Sequence, residues 1–295
     1  MKGRNISLRA KRSGNINNRK TTRMLRCTNE DEIINIRKSK IPFDHFIITK
    51  FNTKFRWIRD MRSGKFILGD KPPDDEWMKH RWKIFEKYCY PSISHQLNQN
   101  FKWLVFFDGN NVNPEMFKRF PKMTPILLYN YKVWSPEIVQ DEVLKRMKNE
   151  WVITTRLDND DCLRDDFILR VQNHFEEKRV IVNYLTGYNY DIKTKQTKYF
   201  SNKVINTFLS VIEKKENNQI KTCWGSLNNY DMRKIFKGGI EIVGGSSPTR
   251  AVKWPGFTLP KEALWMRTIH SKNADNEMKG HVIRIDLKQR FHIIN

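Results

Sequence analysis

The chain has 295 residues, 39% of them apolar, with 18 Phe and 9 Trp, enough for one large domain or two small ones with a real core. Its 55 Lys and Arg against 32 Asp and Glu give a net charge of +23, which suits anionic partners without naming one. No window approaches the ~18 consecutive apolar residues of a membrane span, and no apolar segment follows the basic start MKGRNISLRAKR as a secretory signal requires. The four cysteines (Cys27, Cys89, Cys162 and Cys223) form no C-x-x-C, and read as reduced thiols of a cytoplasmic protein.

Residues 1–40 hold 12 basic and 3 acidic side chains, few aromatics, and much Asn, Arg, Ser and Gly. They read as a flexible basic arm before a single domain over 41–295. Such an arm suits an anionic membrane surface or a nucleic acid, with a plain solubilising tail as the alternative. DHFIITKFN (44–52) then reads as a buried strand ending in a loop. Residues 76–100 are mostly helical, with Trp77, Trp82, Phe85 and Tyr88 near helical spacing. Pro91 breaks that run or starts a second helix. FKWLVFFDGN (101–110) is a strong strand ending at Asp108, and PILLYN (125–130) a weaker one. Residues 135–150 form a helix with Ser135 as N-cap, Pro136 in its first turn, and a stripe of Ile138, Val139, Val143 and Met147. The strand WVITTR (151–156) leads into Asp158, Asp160 and Asp161.

Strand, helix, strand, helix, strand predicts a mainly parallel α/β sheet with helices on both faces. Ligands of such sheets collect at the carboxyl ends of the strands. Three strands end in useful polar groups: Lys50 with Asn52, Asp108, and Asp158 with Asp160. If those strands are neighbours, the groups converge on one rim. Residues 41–161 then make a nucleotide-binding half and 162–295 an acceptor half. The second half has a helix at about 165–177, capped by Asp165 and Asp166, and strands within 179–201. A short helix at 228–236 and a turn-rich stretch at 238–257 follow, the latter expected to wrap the site. Residues 263–276 end in a polar loop containing His270.

Three carboxylates within four residues repel one another unless something positive sits among them. A hard divalent cation, itself holding a diphosphate, is the natural partner. The plainer reading is a solvated turn or helix cap. An EF-hand does not fit, because Cys162 stands where an oxygen ligand is needed and Leu163 follows in place of Gly. Trp57, Trp82, Trp103 and Trp151 read as core. Trp254 and Trp265 read equally as sugar platforms or packing. Arg81 and Gln96 read as helix anchors or donor contacts, and Arg156 as a counter-charge to the carboxylates.

The order ITKFN, R-W-x-x-F-E-x-Y-C-x-P-S-I-x-x-Q, F-x-W-L-V-F-F-D, T-R-L-D-N-D-D, GYNYD, WMRTIHSKN resembles the rhamnosyltransferase family, nucleotide-sugar-dependent glycosyltransferases of the GT-A class, over roughly residues 44–275. The resemblance implies a GT-A-like sheet and a sugar, rhamnose by the family's title, moved to a hydroxyl of a glycan, lipid or protein with inversion. Lys50 and Asn52 then open the nucleotide pocket. Asp108 accepts a hydrogen bond from the base, which favours UDP or dTDP donors. Asp158 and Asp160 match the DxD motif that holds Mn²⁺ or Mg²⁺, Asp161 adds a carboxylate near the sugar, and His270 completes the metal shell. The base that deprotonates the acceptor is assigned to Asp231, with Glu241 and Glu262 as alternatives. The competing reading is a nucleic-acid-binding protein or metal-dependent nuclease using the basic arm. The spread of the body's basic residues and the lack of a binding motif count against it. A carbohydrate-binding module would leave the acidic cluster without a role. Placement at the cytoplasmic face of a membrane follows if the arm binds lipid.

Overall fold

Continuous apolar runs such as FIIT and WLVFF suit strands buried on both faces, and that is where the folded chain puts them. The structure, a computed structural model, describes residues 41–53, 58–59, 66–67, 74–129, 134–201, 206–225, 241–243, 263–273 and 276–294. The basic arm, the expected helix at 228–236, the loop after residue 243, Trp57, Asp231, Trp254 and Glu262 lie outside these. Of Glu241 only the backbone is described.

In chain order the strands are β1 (Phe43–Lys50), β2 (Ile58–Arg59), β3 (Phe66–Ile67), β4 (Lys102–Asp108), β5 (Met123–Leu128), β6 (Trp151–Arg156), β7 (Cys162–Leu163), β8 (Val180–Val182), β9 (Thr186–Asp191), β10 (Thr197–Ser201), β11 (Ser210–Lys214), β12 (Glu241–Val243), β13 (Trp265–Ile269) and β14 (His281–Ile283). A seven-stranded sheet runs β12-β8-β11-β6-β1-β4-β5, and β11 is the strand that opposes its neighbours. The expected mainly parallel α/β sheet is therefore present, and strands from both sides of residue 161 share it. A second sheet runs β14-β10-β9-β13-β7, and β2 pairs with β3 as a small hairpin.

Alternation along β1 and β4 builds two cores. Ile47, Trp103, Val105 and Phe107 face one side, where α1 (Asp75–Ile84) packs with Trp82. Phe46, Ile48, Leu104 and Phe106 face the other, against Val139 and Val143 of α3 (Pro136–Leu144). Ser135 caps α3 as expected, its Oγ accepting from Ile138 N at 3.4 Å, although the helix stops before residue 150. Asp74 caps α1, accepting from Trp77 N at 2.7 Å. A π-helical turn, Phe85–Cys89, joins α1 to α2 (Tyr90–Ser94), so Pro91 starts a second helix.

One expectation needs correction, and one open reading is decided. The helix expected at 165–177 is only α4 (Phe167–Gln172), and Asp166 at its start makes no side-chain cap bond. Its carboxylate is instead gripped by Arg164 (2.6 and 2.7 Å) and Arg170 (2.6 Å), charged donors that outcompete a backbone N–H. Trp265 is core, stacked on Phe208 at 4.5 Å with its Nε1–H donated to Tyr184 O, so no face is left for a sugar. The last helix, α5 (Lys288–Phe291), buries Phe291.

Under the sheet lies a buried polar chain. Gln172 Nε2 donates to His45 Nδ1 (3.1 Å), His45 Nε2–H to Thr155 Oγ1 (2.8 Å), and Thr155 meets Ser210 Oγ at 2.7 Å. Burial lowers the imidazole pKa from 6.5 to about 3. The unfolded chain thus binds a proton that the folded one refuses. Stability is full above pH 6.5 and falls by up to ~1.4 kcal/mol per pH unit as pH drops toward the folded value. Melts of the wild type and His45→Gln between pH 7.5 and 5 should show the shallower decline in the variant; parallel profiles would contradict this role.

Candidate active site

The three strands singled out by their polar ends are adjacent: β1 lies between β4 and β6, parallel to both. Their carboxyl ends therefore share one rim. Asn52 stitches it together, donating Nδ2–H to Asn111 O at 2.7 Å while Oδ1 accepts from Asp108 N at 2.9 Å. Asp108 Oδ1 accepts from Asn110 N at 3.0 Å. Lys50 lies within electrostatic reach of Asp158 and Arg156. Burial drives its pKa well below the ordinary lysine value, and Asp158 opposes that shift. Tyr129, exposed at the end of β5, lays its ring on Gly109, where a Cβ would come within 2.5 Å of a ring carbon.

The acidic cluster is a tight turn, Asp161 N donating to Asp158 O at 3.2 Å. Buried Asn159 anchors it, giving Nδ2–H to Phe51 O (2.7 Å) and accepting from Arg81 Nη1 (3.1 Å). The carboxylates separate into different environments. Asp158 is the open one, its side chain 35% exposed and 3.5 Å from Arg156 Nη2, whose guanidinium lies 3.8 Å over Trp224. Asp160 is 13% exposed, and its Oδ2 takes both Arg81 Nη1 and His270 Nε2 (3.0 Å). Burial alone would raise the Asp160 pKa; Arg81 and His270 outweigh it and hold the carboxyl below its usual range. Asp161 is buried with Oδ1 accepting from Thr268 N at 3.0 Å. Burial, and repulsion from Asp160 and Asp158, push its pKa well above the usual carboxyl value.

β13 brings the late histidine to this turn. Thr268 Oγ1 donates to Asp160 O at 2.7 Å. Lys272 N and His80 Nε2 both sit 3.3 Å from His270 Nδ1, which makes Nδ1 the acceptor and assigns the proton to Nε2, facing Asp160. Arg81 Nη2 donates to Lys272 O at 3.4 Å, and the Trp77 ring lies 4.7 Å from the guanidinium. Lys50, Asn52, Asp108, Asp158, Asp160, Asp161 and His270 are thus all at or beside the rim. Sequence reasoning did not single out Asn159, His80 or Lys272. The signal for the α1 contribution was the spacing of Trp77, His80 and Arg81 on one helical face.

The donor set has the chemistry of a hard cation site, two carboxylates and an imidazole, and Asp160 already holds a cation in the form of Arg81. Among the described residues no three His, Cys, Asp or Glu side chains gather closely enough to cage an ion unaided.

Residues 73–226 match the family described as "Putative rhamnosyl transferase", just over half of the chain. The chain belongs to that family. No curated protein matches it. Among solved structures it resembles Staphylococcus aureus TarS 1–349 (11% identity, 50% of this chain and 36% of that one, TM-score 0.30) and HddC from Yersinia pseudotuberculosis (11%, 68% and 90%, 0.35). It also resembles the inositol-1-phosphate CTP transferase of T. maritima (12%, 77% and 90%, 0.34). The chain spans about a third of the TarS fragment. These likenesses are too distant to carry a functional argument.

Asp161→Ala should orphan the buried Thr268 N–H and cost about 1–3 kcal/mol, whereas Asp161→Asn keeps an acceptor there. Urea unfolding checks this; equal stability of the two variants would contradict the role.

Proposed function

We propose that this protein is a metal-dependent glycosyltransferase that moves a sugar, rhamnose by the family's title, from a nucleoside diphosphate to a hydroxyl. The observation that carries the reading is the meeting of Lys50, Asp108 and the Asp158–Asp161 turn on one rim of adjacent parallel strands. Asp108 is assigned to the donor base, where an N3–H of uracil or thymine would suit it, and Lys50 and Asn52 to the pocket beside it. Asp158 and Asp160 would hold Mn²⁺ or Mg²⁺. When bound, the metal supplies positive charge for the diphosphate that leaves.

Within this reading the chain's own groups have distinct tasks. Arg156 adds positive charge beside Asp158. His270 fixes the Asp160 carboxylate through Nε2–H, and would have to release that bond to join a metal shell. Asp161 acts on the site by holding β13 against the turn. Proton removal from the acceptor hydroxyl is assigned to Asp231, and inversion at the anomeric carbon follows from direct attack by that hydroxyl. A glycan or a lipid- or protein-linked sugar is the acceptor class. No helix among the described residues is long and apolar enough to cross a membrane. Contact with an anionic surface is assigned to residues 1–40, with 12 basic against 3 acidic side chains.

Asp158→Asn and Asp160→Asn should each keep the fold and lower sugar transfer by about 10²-fold or more. Metal-dependent turnover retained by both variants would remove the assignment.

A further inference from the structure

We propose that Arg81 is a built-in counter-cation that keeps a divalent metal off Asp160 until a nucleoside diphosphate arrives, so that metal and donor bind as a coupled pair. The inference rests on the glycosyltransferase reading above and concerns how its site is filled.

The charges of the turn are already matched. Asp160 Oδ2 faces the Arg81 guanidinium, and Asp158 faces Arg156. A dication entering alone would bring positive charge beside a guanidinium whose side chain is only 8% exposed, where screening by water is weak. Arg81 has no easy way to withdraw. Nη1 is also held by Asn159 Oδ1 at 3.1 Å, Nη2 donates to Lys272 O at 3.4 Å, and Trp77 covers the guanidinium. A dication accompanied by a diphosphate changes the balance, because the phosphate charge compensates both the metal and the guanidinium. Arg81 Nε is buried without a hydrogen-bond partner, a desolvation cost that an anion at this turn would offset. Losing Asp160 to the metal leaves the guanidinium in its cradle with donors available to phosphate oxygens.

The test is isothermal titration of Mn²⁺ into the full chain, alone and with UDP, for wild type, Arg81→Met and Arg81→Lys. Wild type should bind Mn²⁺ weakly alone and about tenfold or more tightly with UDP. Arg81→Met should bind Mn²⁺ alone about tenfold more tightly than wild type and gain less from UDP. Arg81→Lys, which keeps the charge, should retain the wild-type coupling. Folded Arg81→Met that binds Mn²⁺ alone no more tightly than wild type would overturn the proposal. If Arg81→Met is unfolded without metal, recovery of its circular dichroism on adding Mn²⁺ supports the proposal, and no recovery overturns it. Failure of wild type to bind Mn²⁺ with or without UDP would defeat the metal-dependent reading itself. Equal binding by wild type and variant defeats only the role of Arg81.

Discussion

A carboxylate largely removed from water must be matched by a positive charge or give up its own, and three carboxylates in one turn sharpen that demand. The fold meets it in three ways. Asp158 keeps contact with solvent and stands near Arg156. Asp160 is neutralised by Arg81 from α1 and steadied by His270 from the end of β13. Asp161 faces a backbone N–H on β13, and its pKa rises. The helix before β4, the turn after β6 and a strand of the second sheet are thereby tied to one another by charge as well as by packing. The buried Asn159 adds a neutral tie from the same turn to Phe51, just past β1, and to Arg81.

That arrangement explains how a basic protein presents an acidic rim. The neighbouring order β4, β1, β6 sets the carboxyl ends of three parallel strands side by side, so short loops deliver Asp108, Lys50 and the DND turn to one place. The sheet supplies rigidity, since Trp103, Phe106, Phe107 and Ile47 are fully buried beneath the rim. The second sheet contributes the histidine. Chemistry that develops negative charge on a departing diphosphate would draw on fixed cations at this rim, and Arg81 and Arg156 stand beside its carboxylates.

Much of this was legible from the sequence because it is local. Continuous apolar runs announced β1, β4 and β6. Ser135 and Pro136 announced α3. The clustered aspartates announced an acidic turn after β6, and the ordered motifs announced the family. The parts that were hidden depend on partners far apart in the chain. Arg81 read as a helix anchor or a donor contact, and its pairing with Asp160 shows only once α1 and the turn come together. Asp166 read as a cap because nothing local shows that Arg164 and Arg170 will reach it. Trp265 read as a possible platform because its partner, Phe208, comes from a different strand region. The π-helical turn at Phe85–Cys89 has no sequence signature, yet it lets Cys89 Sγ approach Asp158 O at 3.7 Å.

The central claim is that the rim binds a nucleoside diphosphate through a divalent metal. Its most direct test is thermal unfolding of the full chain with UDP, dTDP, GDP and CDP, each with Mn²⁺ and with EDTA. A ligand that binds only the folded state at a hundredfold its Kd stabilises by about 2.7 kcal/mol. The account predicts that UDP or dTDP raises Tm with Mn²⁺ and loses the effect with EDTA. Folded protein with no shift from any of the four, in either condition, would contradict it and turn attention to nucleic acid and the basic arm.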